Sequence, residues 1–148
     1  MTERSRIAKM YSPESSFVTL LKSGSLSGDF ESFIEHLKSL PPAKVDVEIR
    51  SLSPQVQEGQ SELSAFVCAL SSQLRSKKDF ELVNAWMAVF LKAHCDVIER
   101  CSGLNSDEYS VLKDSLDTWV RVQRIEARRL TELVGYCRGV VGFLRSSR

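Results

Sequence analysis

The fold is decided by residues 76–94, which read Ser76-Lys-Lys-Asp-Phe-Glu-Leu-Val-Asn-Ala-Trp-Met-Ala-Val-Phe-Leu-Lys-Ala-His94. Apolar side chains recur there at helical spacing and form two neighbouring stripes. The first stripe comprises Phe80, Val83, Met87, Phe90, Leu91 and His94. The second comprises Leu82, Trp86, Val89, Ala93 and Val97. A surface helix needs only one apolar face, so this helix is predicted to be central in its domain or to face a partner as well.

The second stripe is interpreted as a protein–protein interface, with Leu82 at its edge. The sequence leaves open which of the two stripes faces the core and which faces the partner. A charged side chain at Val89 or Ala93 is expected to abolish partner binding and to leave the isolated domain helical. Unfolding of Ala93→Glu would instead assign this stripe to the core.

The length and composition are those of an ordinary globular domain. The chain has 148 residues, of which 43% are hydrophobic and 26% charged, with a net charge of +1. This charge gives no overall attraction to nucleic acid or to an anionic membrane. The longest apolar run, residues 85–91, is far shorter than the roughly 20 residues that cross a bilayer. We therefore expect no membrane partner, and a single helical domain over residues 12–148 behind a flexible tail or linker at residues 1–11.

Helix start and stop signals divide this domain into about six helices. Ser12-Pro13-Glu14 is a typical helix start, and this first helix is predicted to end near Gly24. The second helix is expected over residues 29–40, where Pro41 and Pro42 end it. Residues 61–76 and 79–101 are predicted to form the fourth and fifth helices. The predicted architecture is all-α, with antiparallel helical hairpins arranged as a helical bundle or a short solenoid.

Two parts of this assignment stay open. Residues 41–52 favour a helix that carries Val45, Ile49 and Leu52, but Val45, Val47 and Ile49 also alternate as in a strand. The last pattern, residues 106–144, predicts a long C-terminal helix of roughly 55 Å. It could equally be two helices broken at Gly135, since glycine in a helix costs about 1 kcal/mol relative to alanine.

Residues that could carry chemistry are few. His36 is interpreted as a surface or edge histidine, and His94 as a core or interface histidine with a satisfied hydrogen bond. Neither has a nucleophile or carboxylate partner at a readable spacing. The four cysteines form no Cys-x-x-Cys pair and are expected to be reduced and mostly buried. The sequence thus predicts no enzyme activity, no small-molecule substrate, and no cofactor or metal site.

The C-terminal segment is basic. Residues 118–148 contain seven arginines and two glutamates, which leaves a net charge of +5. Arg121, Arg124 and Arg128 share a helix face, and Arg129 lies beside them. This face could be a plain solvated surface, a contact with an RNA backbone, or a contact with an acidic protein partner.

Two segments of the chain resemble a known family. They are residues 39–52, Ser39-Leu-Pro-Pro-Ala-Lys-Val-Asp-Val-Glu-Ile-Arg-Ser-Leu52, and the stretch Ser76–His94 quoted above. Both are similar to the signature segments of the C-terminal helical domain of the U-three-snoRNA-associated WD-repeat protein twenty-one family, also called the WD-repeat protein thirty-six family. The resemblance spans about residues 28–144. Ala93 stands where the family has a larger aliphatic residue, and Trp86 where a smaller residue is usual.

The resemblance implies a place in the UTP-B subcomplex of the small-subunit processome, which assembles on nascent pre-ribosomal RNA in the nucleus and nucleolus. In the family, WD-repeat propellers precede the helical domain, so this chain is expected to be a C-terminal fragment. The implied partners are the C-terminal helical domains of the other UTP-B WD-repeat subunits. The implied function is non-catalytic protein–protein assembly in 18S pre-rRNA processing and ribosome biogenesis. The alternative is an RNA-contacting module that binds pre-rRNA or snoRNA, directly or indirectly, through the arginine-rich helix.

Overall fold

Seven α-helices and one two-residue antiparallel pairing make up the part of the chain that the computed structural model describes, residues 15–57, 60–103 and 109–146. The all-α fold class and the long C-terminal helix predicted from the sequence are confirmed. The helices are α1 (Ser16–Ser27), α2 (Glu31–Ser39), α3 (Pro42–Arg50), α4 (Glu62–Arg75), α5 (Phe80–Ala93), α6 (Cys95–Gly103) and α7 (Ser110–Ser146). Strands β1 (Val56–Gln57) and β2 (Gln60–Ser61) pair immediately before α4. The predicted tail at residues 1–11 and the predicted helix starts at residues 12–14 and 106–108 lie outside the described residues.

The centre of the fold is α4. It packs against α1, α2, α5 and α7, and its contact with α7 is the most extensive. Ser61 caps its N-terminus, because the Ser61 hydroxyl accepts from the Ser64 backbone N–H and the Ser64 hydroxyl accepts from the Ser61 backbone N–H. Nine of its fourteen residues are buried, including Phe66, Val67 and Leu70. The position at the centre, which the sequence offered to α5 as one alternative, thus belongs to α4.

Four phenylalanine rings connect the helices through the core. The Phe33 ring centroid lies 5.0 Å from that of Phe17 and 6.1 Å from that of Phe66, both in edge-to-face geometry. Phe66 in turn stacks on Phe90 at 5.4 Å. Aromatic pairs of this kind contribute about 0.5–1.5 kcal/mol beyond the apolar area that they bury. These rings therefore join α1, α2, α4 and α5 into one core.

The first helix is longer than predicted. It continues through Gly24 to Ser27, and the cap is Gly28, whose φ of 77° lies in the left-handed region that favours glycine. Gly24 is buried inside the helix, and a Cβ atom there would lie 2.7 Å from Cδ1 of Phe30 and 3.0 Å from the carbonyl oxygen of Asp29. The predicted end near Gly24 is wrong because this glycine admits a close neighbour and does not stop the helix.

Residues 42–50 form a helix, as the sequence favoured. Pro42 occupies the first turn, where its missing N–H costs nothing. Val45 and Ile49 are buried one turn apart, whereas Val47 is 61% exposed. A strand would have placed all three on one face, so the alternation in this segment is not a strand signal.

The predicted fifth helix is divided at His94 into α5 and α6, which accounts for seven helices in place of about six. His94 leaves the helical region (φ −117°, ψ 23°), although the Ile98 amide still donates to the His94 carbonyl. The buried His94 ring lies 5.2 Å from the Phe90 ring, and its Nε2 atom is 2.8 Å from the Ile49 carbonyl oxygen. This hydrogen bond to α3 accompanies the kink and confirms the interpretation of His94 as a buried, satisfied histidine.

The last helix is continuous through Gly135. It comprises 37 residues, about 55 Å in length, so the alternative of two helices is wrong. Its N-terminal half packs on α4 and α6 and buries Leu112, Ser115, Val122 and Glu126. Every residue from 131 to 146 is exposed. We call residues 131–146 the α7 extension.

Candidate assembly surfaces

The stripe predicted as an interface is distributed between core and surface. Trp86 is only 5% exposed and belongs to the core, while Val89 and Val97 are partly buried against it. Ala93 is also partly buried, and Leu82 is 38% exposed. Trp86 is therefore closed to a partner in this fold. The contact role of the stripe stays a prediction, and it rests on its four more accessible members.

One wide core-facing surface explains most of the apolar character of α5. Val83, Trp86, Met87 and Phe90 are buried there, and they come from both predicted stripes. The opposite face is bordered by Leu82 and Leu91, about 40% exposed each, with small alanines between them. The two stripes thus merge into a single broad core face, because both α3 and α4 pack on this helix.

The largest exposed apolar surface lies on the α7 extension. Its large apolar side chains are between 39% and 71% exposed. They are Leu133, Val134, Tyr136, Val140, Val141, Phe143 and Leu144. The spacing of Leu130, Leu133, Cys137 and Val140 carries a signal for such a face, but the sequence does not mark the residue at which the bundle ends. Only the fold reveals that the core-facing side of α7 continues beyond the helices that cover it.

A shallow groove of about 490 Å³ runs along this extension. Its floor consists of apolar side chains, and Gly142 leaves space beside them. Arg138 and Arg145 form its charged rim. The complete lining is Leu133, Val134, Cys137, Arg138, Val141, Gly142 and Arg145. An ideal Cβ at Gly135, Gly139 or Gly142 would meet no described atom within 4 Å, so none of these glycines has a close neighbour within the described chain.

The four arginines singled out in the sequence fall into two groups. Arg121, Arg124 and Arg128 are exposed on the side of α7 away from the core, and Arg121 donates weakly to the Thr118 hydroxyl at 3.4 Å. Arg129 is different, because its Nε atom is 2.9 Å from Oε2 of Glu126, which is only 6% exposed. Its guanidinium group already forms an ion pair within the helix. The exposed basic face therefore consists of the first three arginines.

A second concave feature, of about 320 Å³, lies between α2 and α4. Lys38, on its wall, forms an ion pair with Asp79, and the Asp79 carboxylate also accepts from Nε2 of Gln73 at 2.7 Å. The hydrogen bond with Lys38 lowers the pKa of Asp79, and the same bond raises the pKa of Lys38. The pair ties α2 to the start of α5. Its charges thus serve the fold, and the Asp79 side chain makes no capping hydrogen bond to α5.

The described cysteines are mostly exposed and form no metal-binding cluster. Cys68, Cys95 and Cys137 are exposed and only Cys101 is buried, so the expectation of mostly buried cysteines is wrong. Burial raises the pKa of the Cys101 thiol. Across residues 15–57, 60–103 and 109–146, no three His, Cys, Asp or Glu side chains are placed to hold a metal ion. None of the helices described has the length and apolar character that crossing a membrane requires.

The fold and its surfaces define a class: an all-α helical domain with one long helix whose apolar face lies open. The sequence comparisons then identify the family. Residues 1–145 match the "Utp21 specific WD40 associated" domain family, and the chain belongs to it. The resemblance noted in residues 39–52 and 76–94 is thereby confirmed.

Similar proteins carry related names. The chain is 41% identical over 130 residues to the U3 small nucleolar RNA-associated protein 21 homolog of Schizosaccharomyces pombe, covering 88% of this chain and 14% of that protein. It is 38% identical over 134 residues to U3 small nucleolar RNA-associated protein 21 of Saccharomyces cerevisiae, covering 90% and 13%. It is 26% identical over 112 residues to human WD repeat-containing protein 36, covering 76% and 12%. The chain thus spans about one seventh of the length of these relatives.

Proposed function

We propose that this chain is a non-catalytic protein–protein assembly domain of a UTP-B component in the small-subunit processome. It would act in 18S pre-rRNA processing and ribosome biogenesis, in the nucleus and nucleolus. Its partners would be the C-terminal helical domains of the other UTP-B WD-repeat subunits. Family membership supports the biological setting, because two relatives are named as U3 small nucleolar RNA-associated proteins.

The observation that carries the assembly role is the open apolar face of the α7 extension. A contiguous apolar surface of this kind is large for a monomeric protein, and the largest such patch is often an interaction site. The groove along this extension is lined mainly by apolar side chains, which suits a contact with another protein.

Co-elution tests this proposal. The chain is mixed in turn with each C-terminal helical domain of the other UTP-B WD-repeat subunits, and light scattering after size exclusion gives the mass of the complex. We expect a stable complex with at least one of them. If every mixture elutes as its separate components at micromolar concentration, the assembly role is excluded.

The α5 stripe remains part of the same proposal. Ala93→Glu is expected to weaken this complex if the partly buried stripe contacts the partner, while circular dichroism keeps its helical signal. Wholesale loss of that signal would assign Ala93 to the core instead, together with Trp86.

RNA contact is the second candidate, and exposed Arg124 and Arg128 favour it. Binding of single-stranded RNA through these side chains would weaken steeply with salt, because each neutralised phosphate releases counterions. The double variant Arg124→Glu and Arg128→Glu should then reduce both the affinity and the salt slope. Unchanged binding in this variant would remove the candidate.

A further inference from the structure

We propose that the groove on the α7 extension binds an amphipathic helix of another protein, and that acidic side chains border the apolar seam of that helix. The proposal rests on the assembly function above and specifies the chemistry of the partner. The first reason is geometric. The face that α7 buries against α4 through Leu112 and Val122 continues without interruption into the extension. Sixteen further residues, about 24 Å of helix, then carry no covering element among the described residues.

The spacing of the apolar residues is that of a helix–helix contact. Leu130, Leu133, Cys137 and Val140 follow one another at intervals of three, four and three residues. This alternation is the repeat of helices that pack side by side along a seam. Exposed valines and aromatic residues border the seam on both sides, and they are Val134, Tyr136, Val141 and Phe143. The apolar face is therefore wide enough for a helix and longer than a single anchoring side chain requires.

The exposed area also fits a protein partner. From their exposed fractions, the large side chains of the seam and its borders present on the order of 600 Å² of apolar surface. The largest apolar patch of a typical monomer is about 300–600 Å², and a standard interface buries about 800 Å² on each partner. One docked helix with a few polar contacts at the rim would cover this surface.

Charge selects an acidic partner. Residues 131–146 contain two arginines and one glutamate, a net charge of +1, and both arginines lie at the groove. Arg138 and Arg145, seven residues apart, lie on the same edge of the groove. A partner helix with carboxylates at the same spacing would pair with both. A second copy of this chain would instead bring the same basic rim against itself. Residues 1–14 are no better suited, since they hold three basic and two acidic side chains.

RNA fits the surface less well than an acidic helix does. Tyr136 and Phe143 could stack on bases, but each lies two residues before one of the rim arginines. On a helix, two residues are about 160° apart around the axis, so the rings and the guanidinium groups face nearly opposite sides. Stacking on the rings would leave the phosphates away from the arginines, and binding at the arginines would leave an apolar floor beneath a charged backbone.

The test uses two synthetic four-heptad peptides with leucine at the seam positions. One carries glutamate on both flanks of the seam and the other carries lysine. Fluorescence anisotropy measures their binding to the chain. We expect the glutamate peptide to bind at least about tenfold tighter than the lysine peptide. Val140→Glu places a charge in the seam beside the groove and should abolish this binding. The double variant Arg138→Glu and Arg145→Glu should invert the preference. Val47→Glu, at a valine of α3 that is 61% exposed against 39% for Val140, is the control and should bind as the parent chain does.

Several results would overturn the proposal: equal affinity for the two peptides, binding that survives Val140→Glu, or self-association of the chain that Val140→Glu disrupts. If a single-stranded oligouridine competes with the glutamate peptide, and if Val140→Glu abolishes the binding of that oligouridine, the face is assigned to RNA. Neither peptide is a processome protein, so this outcome is independent of the co-elution test. If the peptide preference is absent but co-elution is observed, only the groove proposal fails. If the preference is observed but no domain co-elutes, only the proposed partners are excluded.

Discussion

The Nε2 atom of His94, at the end of α5, lies 2.8 Å from the backbone carbonyl oxygen of Ile49, at the end of α3. The last carbonyl groups of a helix lack their usual amide partner within the helix. The Ile49 carbonyl accepts from the Leu52 amide at 3.4 Å, and the imidazole N–H adds a shorter hydrogen bond. His94 is buried, and its ring also packs against Phe90. One side chain thus satisfies a buried polar group, accompanies the kink between α5 and α6, and contributes to the core.

His94→Ala should therefore lower the free energy of unfolding by about 2–3 kcal/mol, because it removes a buried hydrogen bond to the Ile49 carbonyl together with the ring packing. His94→Gln keeps a side-chain N–H donor and should lose less. Urea unfolding followed by circular dichroism measures both, and His36→Ala is the control, with a change below about 0.5 kcal/mol. Equal losses for the alanine and glutamine variants would mean that the hydrogen bond contributes nothing.

Substitutions of Trp86 and of Leu82 are predicted to have very different effects on the free energy of unfolding, although both residues belong to the same apolar stripe. Trp86→Ala removes a buried indole and should cost about 3–5 kcal/mol. Leu82→Ala, at a position 38% exposed, should cost about 1 kcal/mol or less. Thermal unfolding of the two variants compares them directly. A small effect at Trp86 would contradict its burial and would return it to the candidate interface.

Gly24 and Gly135 provide a matched pair inside helices. Gly24→Ala should destabilise the chain by about 1–3 kcal/mol, because the new methyl group would meet Phe30 and the Asp29 carbonyl. Gly135→Ala should stabilise it by up to about 1 kcal/mol, since the position is helical and open. The unfolding midpoints in urea measure both changes. A stabilising alanine at Gly24 would show that α1 and Phe30 are not in close contact.

The ion pair between Lys38 and Asp79 predicts a pH dependence. The folded pKa of Asp79 lies below its ordinary value, so its contribution is present above the unfolded pKa of about 4 and is lost as pH falls through the folded pKa. Asp79→Asn should cost about 0.5 kcal/mol at pH 7, a value kept small because both groups are partly exposed. Asparagine tolerates the left-handed backbone of residue 79, where φ is 58°.

Unfolding in urea between pH 7 and pH 3 tests this dependence. The difference between the parent chain and the variant should shrink towards the acid end of the range. Lys38→Met should behave in the same way, whereas Lys44→Met, at an exposed position on α3, should show no such trend. A difference that stays constant over the whole range would exclude a charge effect.

Local signals in the sequence predicted the helices well where backbone chemistry is decisive. Pro41 and Pro42 end α2 and open α3, and Ser61 caps α4, because a missing N–H and a capping hydroxyl act within a few residues. The predicted helix end near Gly24 was wrong for a related reason. Glycine marks both helix ends and close contacts, and only the position of Phe30 distinguishes the two.

The candidate site was harder to predict from local sequence signals. The apolar excess of α5 indicated a partner, yet α3 and α4 cover most of it, and Trp86 lies in the core. The apolar surface that remains exposed is on α7, where the apolar repeat continues beyond the neighbouring helices. A repeat in a sequence fixes which side of a helix is apolar, but it carries no information on how many turns other helices cover.

By itself the sequence determined the all-α class, the family, most of the helix boundaries and the apolar side of each helix, because these depend on local backbone chemistry and on helical period. The tertiary structure decided which apolar sides are enclosed. It placed α4 at the centre, joined His94 to Ile49, 45 residues away, by a hydrogen bond, and left the α7 extension open. Burial depends on contacts between segments far apart in the chain, and such contacts form only in the folded molecule.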